Sequence, residues 1–228
     1  MNIMAFDSSA GPVSVAIAQD GITLAEAFLN IKMTHSQTLM PMAQDLLNNV
    51  RIKLSEIDLF AVTNGPGSFT GVRIGVAAVK GLAMAEDKPV LGISTLEAIA
   101  APLYDRDAVI CAVMDARLNQ AYNALFRCKN GKVERLTPDR AIGIGDLLQE
   151  CKGMDQSVIL AGDGADLCFE QMRGDGISLA AEPVRFQRAQ GVALAAFGLL
   201  ECGVASVGHE QLVPVYLRPS QAEQQKSV

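Results

Sequence analysis

The sequence predicts a duplicated α/β fold, two lobes that each rest on a sheet and face one another across a cleft. Residues 3–6 and 109–114 are short apolar runs, each ending in a carboxylate, Asp7 and Asp115, and each followed by the makings of a hairpin. Residues 59–63 and 158–161 are strand-like runs that enter glycine turns, Gly65-Pro66-Gly67 and Gly162-Asp163-Gly164, ahead of a helix. A chain of 228 residues, half of them hydrophobic, can bury one large or two modest cores. The first lobe is expected over residues 1–104 and the second over 105–221, with the last helix able to pack back on the first lobe and a mobile tail at 222–228.

The elements follow in order. After the first strand and Asp7-Ser8-Ser9, Ala10-Gly11-Pro12 turns the chain. Residues 13–17 alternate as a second strand, and Asp20-Gly21 returns it as a third, giving an antiparallel meander. Thr34-His35-Ser36-Gln37 has the form of a capping box, and Leu39, Met42, Ala43, Leu46, Leu47 and Val50 recur at helical spacing beyond it, with Pro41 placed to kink the helix. Residues 54–58 read as a helical turn into the strand at 59–63. The helix over 72–85 is buried, with only Arg73 and Lys80 as charges, and Ser68 or Thr70 is placed to cap it. A strand at 90–93 and a helix capped by Ser94 close the first half. In the second half a hairpin turns at Asn130-Gly131, a helix covers 144–151, and an apolar helix over 191–202 stops at Gly203.

Composition narrows the function. Nineteen basic against twenty-five acidic residues leave a formal charge of -6, so no broad field attracts a polyanion. Arg185, Arg188 and Arg218 are scattered as on a solvated face, which argues against an independent nucleic-acid-binding module. The five cysteines form no Cys-x-x-Cys pair and read as reduced core thiols, pointing to the cytoplasm and away from a structural metal. The start meets an acid at Asp7, unlike a signal peptide, and no run is long enough to span a membrane.

Three candidate chemistries arise from the residues. The turn from Gly65 into the helix is a possible anion site, although no Lys follows as in a P-loop and the third glycine, Gly71, falls one residue late for a dinucleotide fingerprint. Asp7 and Asp115 stand at corresponding strand ends; either they face the cleft and hold a phosphate-bound magnesium, or each accepts hydrogen bonds from its own turn amides. Ser68 lacks an identifiable base, and His35 and His209 are too far apart to form a metal pair. The helices after His35 and after Phe69 are apolar around more of their circumference than one core contact explains. Gly71 and Gly75, four apart, would admit another helix, and Met40, Met42 and Met84 are adaptable contact residues.

Gly65-Pro66-Gly67-Ser68-Phe69-Thr70-Gly71-Val72-Arg73-Ile74-Gly75, with Asp7-Ser8-Ser9, His35-Ser36, Asp115-Ala116-Arg117 and Pro214-Val215-Tyr216-Leu217-Arg218, resembles the bacterial TsaB (YeaZ) family over nearly the whole chain. The resemblance implies the actin, hexokinase and Hsp70-like ATPase fold with a reduced second lobe. It further implies a non-catalytic partner of the transferase TsaD, which places threonylcarbamoyl on adenosine 37 of tRNAs reading codons that begin with A, with the ATPase TsaE completing the complex. The catalytic relative holds its metal with a His-x-x-x-His pair that this chain lacks. The expected contact with TsaD is a four-helix arrangement through Ser36, Leu39, Met40, Ala43, Leu47, Phe69, Gly71, Val72, Gly75, Val76 and Val79, a surface that can also make a homodimer. Asp7, Ser8, Ser9, Asp115, Gly162 and Gly164 would form a vestigial nucleotide cleft. No cofactor of its own is implied; ATP and magnesium belong to the assembled complex, and tRNA is met through it. The competing expectation is an ATP-dependent phosphotransferase or ATPase acting alone, with Asp7 and Asp115 around magnesium and the Gly162-Asp163-Gly164 loop near the adenosine.

Overall fold

A computed structural model describes residues 1–31, 33–174 and 176–218, so the expected tail at 222–228 lies outside the described residues. The first sheet holds β1 (Asn2–Asp7), β2 (Val13–Gln19), β3 (Ile22–Leu29), β4 (Leu59–Gly65) and β5 (Val90–Ser94), in the order β3-β2-β1-β4-β5. The first three strands form the antiparallel meander. β4 then joins β1 in parallel, Ala5 opposite Ala61, and β5 joins β4 in parallel. Parallel neighbours need crossovers, and two helices supply them: α1 (His35–Val50) before β4 and α2 (Phe69–Glu86) after it.

After α3 (Thr95–Ala100) the second sheet begins with β6 (Ala108–Asp115) and β7 (Gln120–Lys129), followed by β8 (Lys132–Arg135) and β9 (Arg140–Gly143). Beyond α4 (Ile144–Lys152) come β10 (Val158–Ala161), α5 (Ala165–Met172), β11 (Ile177–Leu179) and α6 (Ala189–Glu201). The strand order is β11-β10-β6-β7-β8, with β9 pairing β7. The two halves share a plan. In each, an antiparallel hairpin leaves a central strand that ends in an aspartate, and a parallel strand on its other side runs into a glycine turn and a helix.

The layers follow from which faces are apolar. α1 and α2 cover the outer face of the first sheet, where Phe6, Ile17 and Val62 meet Leu39, Leu46, Val76 and Val79. α6 covers the other face, its Val192 and Ala196 against Ile3, Ala5, Ala61 and Leu91. α3 packs beside α6 and against the second sheet, where Leu96 and Ile99 meet Ile110 and Phe126. α4 and α5 close the far face through Leu147, Cys168 and Met172.

Local signals act largely as read. The Ser68 and Ser94 hydroxyls accept from the amides of Gly71 and Glu97, both at 3.3 Å, and so cap α2 and α3. The expected capping box at Thr34 does not form: its side chain makes no cap bond, and the Gln37 amide donates to the Thr34 carbonyl instead, at 2.9 Å. Pro41 lies inside α1, which continues to Val50.

Candidate functional site

β1 and β4 end side by side, and what happens there decides the site. Asp7 is 1% exposed. Its Oδ1 accepts from both the amide and the hydroxyl of Ser9, each at 2.8 Å, while Oδ2 has no hydrogen-bond partner among the described residues. The carboxylate therefore holds its own turn and does not line the cleft, a correction to one of the two sequence readings. Burial pushes its pKa up to about 6, against the hydrogen bonds from Ser9. Ser8 turns away from the cleft and donates to the Gly71 carbonyl at 2.9 Å. Only Ser9 of this trio reaches the cleft.

The glycines of the α2 turn serve this closure. The Ser68 amide donates to the Ser9 carbonyl at 2.6 Å. A Cβ on Gly71 would overlap the Ser8 carbonyl oxygen, one on Gly67 would overlap that of Ser9, and one on Gly75 would stand 2.5 Å from the Ser8 hydroxyl. Gly71 and Gly75 thus let α2 close on the β1–β2 loop of its own sheet, not on a partner helix as their spacing suggested. The helix start itself borders the cleft through Ser68, Phe69 and Thr70, with the Gly71 amide already taken by the Ser68 hydroxyl.

The second half repeats the device. A Cβ on Gly162 would overlap the Val113 carbonyl oxygen, and one on Gly164 would lie 2.8 Å from the Asp115 amide, so this turn seals against the end of β6. Gly162 and Gly164 are therefore packing positions beneath the cleft. Asp163 between them, missed as a site residue, is carried to the cleft wall. Its signal was available: a polar residue between two glycines that must both lie against backbone has one way left to point. Burial raises its pKa to about 6, and the Asp115 and Asp7 carboxylates add to the rise against the pull of the Gln187 amide. Asp115 is exposed on the same wall, its Oδ1 accepting from the Arg117 amide at 2.7 Å. Arg117, Leu118 and Asn119 all take the left-handed conformation, with φ of 62°, 52° and 57°, and this turn brings Arg117 to the rim.

The cleft has a volume of about 800 Å³ and lies between Ser9, Ser68, Asp115, Arg117, Asp163 and Tyr216. The late segment at 214–218, which carries part of the family resemblance, forms part of its mouth, and Arg218 is drawn into it. The Val215 amide donates to the Asn64 carbonyl at 2.7 Å, and the Asn64 side chain returns a bond to the Val213 carbonyl at 3.2 Å. Tyr216 stacks on Phe69 with ring centroids 4.9 Å apart, and Arg73 lies over the Phe69 ring while donating to the Tyr216 hydroxyl at 2.7 Å. Arg218 reaches the Ala116 carbonyl in the second lobe at 3.1 Å. His35 is half-buried, and its Nε2–H donates to the Ala10 carbonyl at 2.7 Å.

A second feature lies on the outer side of the first sheet, between α1 and α2. Of the residues expected at a partner surface, Leu39, Val72, Val76 and Val79 point into the core and cannot meet a partner. Ser36 and Met40 are exposed, and Phe69 is engaged by Tyr216 at the cleft mouth. Ala43 and Leu47 are almost wholly covered yet form the floor of a groove of about 470 Å³ between α1 and α2. Met40, Ile52 and Leu82 line its sides with Arg51 and Lys53. Met84, on α2, is 69% exposed, and Met40 is 41% exposed. Among the described residues no helix is long and apolar enough to cross a membrane, and no group of three or more His, Cys, Asp or Glu side chains is gathered as metal ligands.

Comparison with known proteins places this architecture. A family model described as "TsaD: tRNA N6-adenosine threonylcarbamoyltransferase" matches residues 23–193. The activator of 2-hydroxyisocaproyl-CoA dehydratase from Clostridium difficile, solved with bound ADPNP, shares the fold alone, with a TM-score of 0.53 at 12% identity over 91% of this chain and 99% of that one. YeaZ from Pseudomonas aeruginosa superposes with a TM-score of 0.79 at 29% identity over 95% of this chain and 99% of its own. The tRNA threonylcarbamoyladenosine biosynthesis protein TsaB of Bacillus subtilis is 35% identical over 167 residues, 73% of each chain. With the sequence shared at that level and the fold shared across nearly its whole length, the chain belongs to the TsaB (YeaZ) family.

Proposed function

We propose that the chain is a non-catalytic partner of a TsaD-type transferase, acting in formation of N6-threonylcarbamoyladenosine at position 37 of tRNAs that read codons beginning with A. The names of its relatives and the transferase family model support the process. The observation that carries the role is the groove between α1 and α2, with Ala43 and Leu47 on its floor, Leu82 and the exposed Met40 at its sides, and Met84 exposed elsewhere on α2. Methionine side chains fit irregular apolar surfaces with little loss, and both helices are anchored in the core beneath, so the face is rigid below and adaptable above. A pair of helices from TsaD is the occupant, with TsaE, ATP and magnesium joining the assembly and tRNA met through it; a second copy of this chain takes the same face when TsaD is absent.

An omission assay tests this. TsaD, TsaE, ATP, threonylcarbamoyl-adenylate and unmodified tRNA are combined with and without the chain, and modified nucleosides are scored by mass spectrometry. Modification that requires the chain, with no transferase or ATPase activity from the chain alone, is the expected result. Equal modification without it overturns the reading. The 800 Å³ cleft, with Asp115 and Asp163 on its wall, favours one alternative, an ATP-dependent phosphotransferase or ATPase acting alone. Steady ATP turnover by the isolated chain would transfer the function to the cleft.

A further inference from the structure

The second lobe contains a feature that partner binding does not use. Cys111 on β6 and Cys151 on α4 lie with their sulfurs 4.0 Å apart, in hydrogen-bond contact, and both are free thiols buried in the same apolar cluster. A polar frame surrounds them. The Asn123 amide donates to the Cys111 sulfur at 3.4 Å and to the Ala112 carbonyl at 3.0 Å. The Asn123 carbonyl oxygen accepts from Arg140 at 3.0 Å and 3.2 Å, and Arg140 is in turn paired with Glu150, the neighbour of Cys151. Asn123 and Arg140 thus link the surroundings of one sulfur to those of the other.

The two cysteines differ in mobility. β6 is an inner strand of its sheet, held by β7 on one side and β10 on the other, so Cys111 is fixed. Cys151 sits in the last turn of α4, one residue before the helix ends at Lys152. Fraying of that single turn brings it to water, and helix ends fray first. A disulfide needs the sulfurs at about 2.05 Å, so the same terminal turn must close the remaining gap toward β6.

We propose that Cys111 and Cys151 form an oxidisable thiol pair that a hydroperoxide converts into an intramolecular disulfide. The Cys151 thiolate attacks a peroxide oxygen; the O–O bond breaks, a sulfenic acid forms on Cys151, and the leaving hydroxide takes up a proton to become water. Cys111 then gives up its proton as its sulfur attacks the Cys151 sulfur. The S–S bond forms, the S–O bond breaks, and a second water leaves. Two thiols and one hydrogen peroxide give one disulfide and two waters, with two electrons passing from sulfur to oxygen. Cys151 is the attacking thiol because it alone of the pair sits in a terminal helical turn that a peroxide can reach; the hydrogen bond shared with Cys111 and the Arg140 charge lower its pKa against burial and the Glu150 charge. Cys168 belongs to the same cluster, but burial pushes its thiol up to about 12, which leaves it inert. The product would tie α4 to the central strand whose end carries Asp115.

The test uses the full chain with Cys202→Ser, since Cys202 is exposed and would otherwise cross-link between molecules. The protein is treated with hydrogen peroxide, remaining thiols are alkylated under denaturing conditions, and the digest is mapped by mass spectrometry. The expected result is loss of two hydrogens from the intact mass and a peptide joining Cys111 to Cys151, both reversed by reductant. Further substitution of Cys151→Ser abolishes the linked peptide, and Cys168→Ser leaves its yield unchanged. The proposal is overturned by full alkylation of both Cys111 and Cys151, by a link from Cys111 to Cys168, or by sulfinic acid accumulating on Cys151 without a link. The map of the Cys202→Ser protein decides the matter even if the Cys151→Ser variant does not fold.

Discussion

Two glycines of α2, ten residues apart, should respond to alanine with opposite signs. Gly81 lies on the exposed side of the helix, and nothing stands within 4 Å of a Cβ placed there. Gly81→Ala should stabilise the protein by about 0.5–1 kcal/mol, because alanine loses less backbone freedom on entering a helix. Gly71 is the third residue of the same helix, where its propensity gain is no larger. There a Cβ would overlap the Ser8 carbonyl oxygen and stand 3.3 Å from the carbonyl carbon. Both groups are backbone of the loop at the end of β1, so neither can rotate away. Overpacking of this kind costs about 1–3 kcal/mol, and displacing α2 also endangers the Ser8 hydroxyl bond to the Gly71 carbonyl, about 1 kcal/mol more. Against the propensity gain, Gly71→Ala should destabilise by about 1–3 kcal/mol, placing the two variants about 2–4 kcal/mol apart. Urea unfolding followed by circular dichroism measures the difference directly. Equal stabilisation by both substitutions would refute the seating of α2 on the Ser8-Ser9 loop.

Two further predictions address the groove and the buried acids. Met40→Lys combined with Met84→Lys should leave stability within about 0.5 kcal/mol, as expected of exposed positions, yet weaken co-purification with TsaD at least about tenfold; unchanged capture would move the partner surface away from α1 and α2. Asp7 has a folded-state pKa raised from 3.8 to about 6. Its protonated form therefore contributes stability that is complete below pH 3.8 and lost as pH rises through 6, about 3 kcal/mol in all. Asp7→Asn keeps an oxygen for Ser9 and removes the buried charge. Its stability relative to the native chain should accordingly rise between pH 4 and pH 8, and a difference that stays flat with pH would sink the assignment of a buried, unpaired carboxylate.

Much of the fold could be read because its signals are local. Buried runs of four to eight residues, hydroxyl caps at Ser68 and Ser94 and the repeated strand-glycine-helix order each lie within a short window of sequence. β9 and β11 escaped because neither is a continuous apolar run: Arg140 and Gly143 bound one, and Ser178 interrupts the other. The site was harder, since its determinants are distant in sequence. Gly71 and Gly75 carry the spacing of a helix–helix contact, yet the surface that requires them is a loop more than sixty residues earlier. Asp7 and Asp115 occupy matching strand ends, but one is buried in its turn while the other is exposed, a difference set by how tightly each neighbouring loop closes. The stacking of Tyr216 on Phe69 left no trace that either residue alone could show.

The position of α6 also sets an order of events. The first sheet is complete in sequence by Ser94, whereas the helix that covers its inner face ends at Glu201. At synthesis rates of about 5–20 residues per second, the strands bearing Ile3, Ala5, Ala61 and Leu91 wait roughly 5–20 s for that cover to leave the ribosome. The second lobe emerges during that interval. The nascent chain thus carries an open apolar sheet face that chaperones can occupy, and the first lobe, although begun first, is the last to be finished.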